Sequence, residues 1–346
     1  MKLWGRNYTP AELRRYFGQM SPAAGIRRFT YDEGRAKGLA ALEVKTGAGL
    51  RFVVLVDKAL DIGDCEFQGI PVALRTQVGD VAPQFYEPMG DEWFRSFGGG
   101  LLTTCGLTHL GAPDVDQGEA LGLHGRIHNI PGEEVGVKAE WEEDTYALRI
   151  WGKVREAKTL TGSLCLHREI TAFAGENRII IRDVVTNESF SEMPHMILYH
   201  CNVGHPLLDE GTELVADSLE VRPRDEIAAP EFGSYQLYKG PTPNYPDTVF
   251  YHKVRPKEDD MAEAVLLNRR LDLGLKVRWE PTHLPNFIQW KYTGEGTYAA
   301  GLEPANCLVE GRSKERERGT LVYLKPGESR AYQVELIVGS AAELIG

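Results

Sequence analysis

Residues 164–203 read LCLHREITAFAGENRIIIRDVVTNESFSEMPHMILYHCNV. Three runs in this stretch, residues 164–173, 178–187 and 195–203, are rich in β-branched and aromatic residues. They are separated by short segments carrying Gly175, Asn177 and Pro194, the punctuation expected between strands. The same pattern extends in both directions: upstream in RRFTYDE, AALEVKT, LRFVVLVD and YALRIWGKV, and downstream in LKVRWEP, FIQWKYT, TYAAGLE, GTLVYLK and YQVELIVG. No segment has a helical period long enough to supply the repeated crossovers of a parallel sheet. The 37 glycines and 19 prolines supply the turns that many short strands need. These features predict an all-β, mostly antiparallel architecture. With no low-complexity linker and no internal repeat, residues 1–346 are expected to form one large domain.

One helix is expected. In the N-terminal MKLWGRNYTPAELRRYF, Thr9 and Glu12 form a capping box with Pro10 at the first helical position, predicting a short helix over about residues 10–20. Two regions break the strand rhythm, residues 76–123 and 205–262. Long ordered loops of this kind tend to carry function, so they are expected to wall a binding site.

Composition excludes several classes of partner. A net charge of −11 without a Lys/Arg cluster argues against nucleic acid and tilts the choice of ligand toward neutral molecules. No apolar run is long enough for a membrane helix. The five cysteines are widely spaced and never form C-x-x-C, which fits reduced thiols. The N-terminus lacks the apolar core of a secretory signal, so a cytoplasmic location is expected.

Candidate chemistry clusters in four stretches. In YAAGLEPANCLVEGR (residues 298–312), extended backbone gives Gly301 and Glu303 a common face, and a carboxylate beside a small apolar run is rarely buried without a partner or a task. In HMILYHCNVGHP (195–206), alternation puts Met196, Leu198, His200 and Asn202 on one face and His195, Ile197, Tyr199 and Cys201 on the other. If LHGRIH (123–128) is extended, His124, Arg126 and His128 share a face. In FIQWKY (287–292), Phe287, Gln289 and Lys291 oppose Ile288, Trp290 and Tyr292. A Gln and a Lys beside an aromatic ring suit a sugar, whose hydroxyls want polar partners and whose C–H face stacks on a ring; an exposed polar edge fits the pattern equally well. Further upstream, VVLVDKALDIGD (53–64) places Asp57, Ala59 and Asp61 on one face, with Asp61 capping a turn or binding a hydroxyl.

Taken in order, LDIGDCEFQGIPVAL, FGGGLLTTCGLTHLG, LHGRIH, LYHCNVGHPLLDEG, QWKYTGEGTYAAGLEPANC and LKPGESRAYQVEL resemble the aldose 1-epimerase (galactose mutarotase-like) superfamily, and within it the DUF4432 branch. The resemblance covers most of the chain. It implies a large antiparallel β-supersandwich, a small-molecule carbohydrate ligand, no cofactor and no metal. It further implies Glu303 of the Leu302-Glu303-Pro304 motif as general base and His200, followed closely by Asn202, as general acid. His124 would be a second histidine holding the ring oxygen or a neighbouring hydroxyl.

The branch's own polar set, Asp61, Arg126, Gln289, Lys291 and Asn306, is expected to bind substrate together with Asn202, while Asp61, Asp209 and Asp247 all remain open as the substrate-binding aspartate. Lys58 stands where related sequences lead one to expect arginine. The implied activity is that of an isomerase. Two alternatives stand beside it. One is a sugar isomerase, C-epimerase or lyase on the same fold, with His124, His128 and His200 as a metal-binding group. The other is a non-catalytic carbohydrate-binding protein. A homodimer is among the assemblies left open.

Overall fold

The computed structural model describes residues 1–345. Two antiparallel sheets dominate. The larger has twelve strands, and its main path runs Ser218–Pro223, Thr248–Val254, Asn286–Thr293, Tyr298–Ala305, Met193–Val203, Leu102–Leu107, Asp61–Phe67, Leu50–Leu55, Ala40–Lys45 and Gly25–Thr30. The smaller has eight: Glu133–Glu142, Thr145–Lys158, Gly162–Phe173, Arg178–Asn187, Ser329–Gly339, Leu273–Trp279, Ala262–Asn268 and Glu213–Ala216. The all-β expectation holds. The run that opens the sequence reading supplies two consecutive strands to the small sheet and the central Met193–Val203 strand to the large one.

Period-two alternation explains how the sheets pack. In Met193–Val203, Ile197, Tyr199, Cys201 and Val203 face the small sheet and join a continuous core with Leu148, Ile150, Leu164 and Ile181. The alternate residues Met196 and Leu198 lie on the outer face, against Trp93, Phe97, Cys105 and Ile288. Each such burial contributes about 1.5–3 kcal/mol. The segments on either side of the strand Leu102–Leu107 cover this outer face because they bring Trp93, Phe97 and Leu110 down onto it, all nearly inaccessible.

The inter-sheet core contains one ionic network. Arg168 bonds both Asp183 oxygens (2.9 and 2.6 Å), Asp61 Oδ1 (2.7 Å) and Thr104 Oγ1 (2.9 Å). The Tyr199 hydroxyl donates to Asp183 Oδ2 at 2.7 Å. Burial works against charge on Arg168, but Asp183 and Asp61 outweigh it and keep the guanidinium protonated. None of the strand patterns points to Arg168 or Asp183 as special. A cation and two acids at inward-facing positions are the only trace the network leaves in the sequence.

Four local expectations change. The capping box is present, but the helix ends at Tyr16, before the glycine at position 18. LHGRIH is not a strand. His124 has φ 56° and Gly125 φ 73°, and a 3-10 turn follows at Ile127–Asn129. A Cβ at Gly125 would lie 2.2 Å from the His109 carbonyl oxygen, so this crossing requires glycine. The chain also turns at Ala59 and Leu60, both with φ 55°, so Asp57 and Asp61 belong to different elements rather than to one face. Finally, the tail of the Glu303 stretch leads into a short helix, Arg312–Arg318. Among the described residues, no helix is long and apolar enough to cross a membrane.

Candidate functional site

Glu303 and His200 reach the same point from neighbouring strands. Met193–Val203 pairs with Tyr298–Ala305 so that Asn202 opposes Gly301, which puts His200 and Glu303 on the same, outer face. His200 Nε2 lies 3.3 Å from Glu303 Oε1, and both side chains are almost fully buried. The contact is close but not aligned as a hydrogen bond: Glu303 Oε1 and His200 Nδ1 have no hydrogen-bond partner. Unpaired buried polar atoms are uncommon, and here they line the floor of a cavity of about 260 Å³.

Gly301 creates the space for the carboxylate. A Cβ at this position would stand 2.2 Å from Glu303 Oε1 and 2.9 Å from the Trp290 Cβ. The common face of Gly301 and Glu303 expected from alternation is thus present, and it leaves the carboxylate lying back over the strand.

Aromatic rings frame the pair. His124 meets His200 edge-on at 5.7 Å between ring centroids, Trp290 meets it from another side at 5.3 Å, and Trp93 covers His124 at 4.9 Å. The two regions expected as loops contain the strands Leu102–Leu107, Glu213–Ala216, Ser218–Pro223 and Thr248–Val254, and the connections around these wall the cavity, the first through Trp93, Phe97 and Gly111–Pro113, the second through Arg224 and Asp247. Asp247 accepts from the Trp290 indole N–H (2.7 Å) and from Arg224 (2.9 Å), fixing the tryptophan against the cavity.

Electrostatics works against the charge states that the implied base and acid roles of Glu303 and His200 would call for. A nearby carboxylate would ordinarily keep His200 charged. Instead, burial pushes the Glu303 carboxyl well above its usual range, with the Asp247 charge adding to the effect. Burial also pulls His200 down to about 3, only partly offset by Asn202, and holds His124 well below its usual value. Burial therefore works against charge on both members of the pair, and taking such close charges out of water can cost more than their attraction returns.

The other predicted site residues separate. Asn202 is buried beside the pair, its amide donating to the His200 carbonyl (2.9 Å) while its Oδ1 is unpartnered. Asp61 lies wholly in the core, away from the cavity, with Arg168, Thr104 and the His128 ring (2.7 Å). Burial would raise its pKa, but the His128 hydrogen bond and the Arg168 charge outweigh it and hold the carboxyl below the usual range. His128, committed to Asp61, does not join His124 and His200. Among the described residues, no group of three or more His, Cys, Asp and Glu side chains is placed to hold a metal ion.

Gln289 and Lys291 point to the opposite side of their strand from the cavity. Gln289 donates to the Tyr235 carbonyl and the Tyr238 hydroxyl (2.8 and 3.0 Å), and Lys291 donates to the Leu237 carbonyl (2.6 Å). Asn306 ties two backbones together through Ile197 N and the His195 carbonyl. Arg126 is exposed on a different cavity. Lys58 is buried and bonds Asn129 (2.6 Å) and the Ser96 carbonyl (3.2 Å); nothing in this arrangement explains lysine in place of arginine.

What the sequence reading missed is the tryptophan beside Gln289. Ile288 pairs directly with Glu303 and Trp290 with Gly301, so the Ile288/Trp290 face is the site face. The alternation was legible, but which of the two faces carries the site depends on cross-strand register.

Comparisons with known proteins bear on the fold that carries this cavity. A family model described as "Domain of unknown function (DUF4432)" matches residues 36–338. No curated protein matches the chain. A solved structure of a "putative aldose 1-epimerase" from Klebsiella pneumoniae superposes with a TM-score of 0.88 at 25% identity, over 92% of this chain and 85% of that one. A galactose 1-epimerase from Lactobacillus acidophilus gives 0.60 at 14%, covering 92% and 99%. A galactose mutarotase-like protein from Clostridium acetobutylicum gives 0.61 at 12%, covering 92% and 99%. These likenesses place the fold among galactose mutarotase-like proteins.

Proposed function

The chain belongs to the DUF4432 family, and from that footing we propose that it is a cofactor-free aldose 1-epimerase, an isomerase acting on a neutral sugar in the cavity above Glu303 and His200. The observation that carries this reading is the buried pair itself: two proton-exchanging groups 3.3 Å apart, each with an unpartnered polar atom, on the floor of a ring-lined cavity. A volume of about 260 Å³ falls just below the roughly 300 Å³ lower bound of pockets for drug-sized ligands, which favours a monosaccharide over a longer chain. A cytoplasmic location is part of the proposal, and the five buried, unpaired cysteines support it.

Mutarotation needs one proton removed from the anomeric hydroxyl and one delivered to the ring oxygen, which a pair sharing a single proton can do. One member takes the O1 proton as the other protonates O5, and the C1–O5 bond opens. Rotation about C1–C2 turns the aldehyde. On reclosure, the proton returns from O5 to the group that gave it and the other group re-protonates O1. Every atom and proton balances, so no oxidant, metal or carrier is required. Glu303 is the base on O1 and His200 the acid on O5 as the ring opens, the roles the family resemblance implies, and the two exchange roles on reclosure. Trp290 offers its face to the C–H side of the ring, and His124 is placed to bond a hydroxyl.

Saturation-transfer NMR between α and β anomers of a panel of neutral aldoses tests the assignment. Exchange faster than in buffer is expected for at least one sugar, and no acceleration for any of them sinks the proposal. Gly301→Ala is expected to lower that exchange by about 10²-fold while the protein stays folded, because the new methyl displaces the carboxylate by an ångström or more. Unchanged rates would show that the carboxylate position is unimportant.

A further inference from the structure

A second cavity, of about 400 Å³, opens at the edge of the large sheet between Tyr251, the strand Ser329–Gly339 and the helix Arg312–Arg318. Its lining differs from that of the catalytic cavity in charge. Arg222, Lys253, Arg318 and Arg330 line it, against two carboxylates, Glu220 and Glu315. Glu315 is already occupied by the Leu308 amide, Arg318 and the Thr320 hydroxyl. Among the described residues, neither Arg222 nor Arg330 forms an ion pair, in a protein whose other arginines are mostly bridged to acids and whose net charge is −11.

The second observation is independent of charge. Tyr251 is 4% exposed, it lines this cavity, and its hydroxyl has no hydrogen-bond partner. The Arg222 guanidinium is stacked over the same ring, 4.7 Å from its centroid. Two unbridged guanidinium groups and an unsatisfied buried hydroxyl line a space large enough for a small molecule, while the Lys253 ammonium is held at Asn286 Oδ1 (2.9 Å). Guanidinium groups pair with phosphate through parallel N–H donors, and a tyrosine hydroxyl adds a further donor.

We propose that this cavity is a binding site for a phosphate group, free or carried by a small metabolite such as a sugar phosphate, held by Arg222, Arg330 and the Tyr251 hydroxyl. It is separate from the Glu303/His200 cavity and does not depend on the epimerase reading. The occupant of the catalytic cavity is neutral and that of the second cavity anionic, so the two sites select opposite chemistries.

Isothermal titration of the full chain with inorganic phosphate, glucose 6-phosphate and acetate tests the site. Phosphate is expected to bind and acetate to bind at least 10-fold more weakly. Tighter binding of glucose 6-phosphate than of phosphate identifies an ester as the occupant, and equal binding identifies the free ion. The double variant Arg222→Ser/Arg330→Ser is expected to weaken phosphate at least 10-fold, and Tyr251→Phe by several-fold, while Glu303→Gln leaves it unchanged. Absence of phosphate binding to the unmodified protein overturns the proposal. So does binding that survives the double arginine change, or binding that is lost in Glu303→Gln, since the anion would then sit elsewhere.

Discussion

Replacing Glu303 with Gln is expected to slow catalysed anomeric exchange by about 10²–10⁴-fold, the range typical for removing a positioned acid or base. Gln keeps the shape of the carboxyl but can neither take nor return a proton. The same change is expected to make the protein more stable at pH 8. Burial raises the Glu303 pKa above its ordinary value of 4.5, so the stability associated with the protonated form is complete below pH 4.5. It is lost as pH rises through the raised value and the buried group must ionise. A neutral Gln avoids that loss, with a gain of the order of 2 °C or more in Tm at pH 8 that closes as pH falls to 4.5. His200 acts in the other direction, because its depressed pKa gives stability that is present above about 6.5 and lost as pH falls toward 3. Melting curves of both proteins from pH 4 to 8, beside the NMR rates, separate the two outcomes. Full activity in the variant, or an equal Tm at every pH, contradicts the buried-pair description.

The largest loss of stability is expected from Arg168→Met. The guanidinium is wholly inaccessible and is the common partner of Asp61, Asp183 and Thr104. Its removal leaves two carboxylates facing each other in the core, a cost of about 3–5 kcal/mol. Urea unfolding should show this as a lower midpoint or as failure to accumulate folded protein. Arg168→Met/Asp61→Leu/Asp183→Leu should recover part of the loss, since apolar groups of similar size often replace a buried ionic cluster without penalty. A single variant with an unchanged midpoint would mean that the network contributes nothing.

How far the sequence was legible depended on which physical rule governed each residue. Glu303 and His200 were singled out on the resemblance, and alternation along their long regular strands gave the neighbours that share a face with each. Gln289 and Lys291 were misplaced although their alternation was right: a single strand does not say which of its faces meets the site, and only the pairing of Ile288 with Glu303 does. His124 was placed near the pair on a resemblance, while the extended backbone assumed for it was wrong. Left-handed residues and glycine contacts are set by distant carbonyls, here those of Gly106 and His109, which local pattern cannot reveal. Asp61 failed for a third reason. A buried aspartate that binds substrate and one that bonds an arginine look identical until the partner, more than a hundred positions away, is located.

Tyr199 and His200 are adjacent, and their side chains leave the strand on opposite sides. The hydroxyl of the first is bonded to Asp183 within the ionic cluster, and the ring of the second lies on the floor of the cavity above Glu303. A slip of one residue in this strand would exchange the two, driving an imidazole into the core and a phenol into the cavity. The bond from Tyr199 to Asp183 therefore acts as an index pin for the strand: it contributes nothing to the reaction, yet it fixes which residue is presented to the ligand. Side chains lining the cavity can then be exchanged while the strand that displays them keeps its alignment.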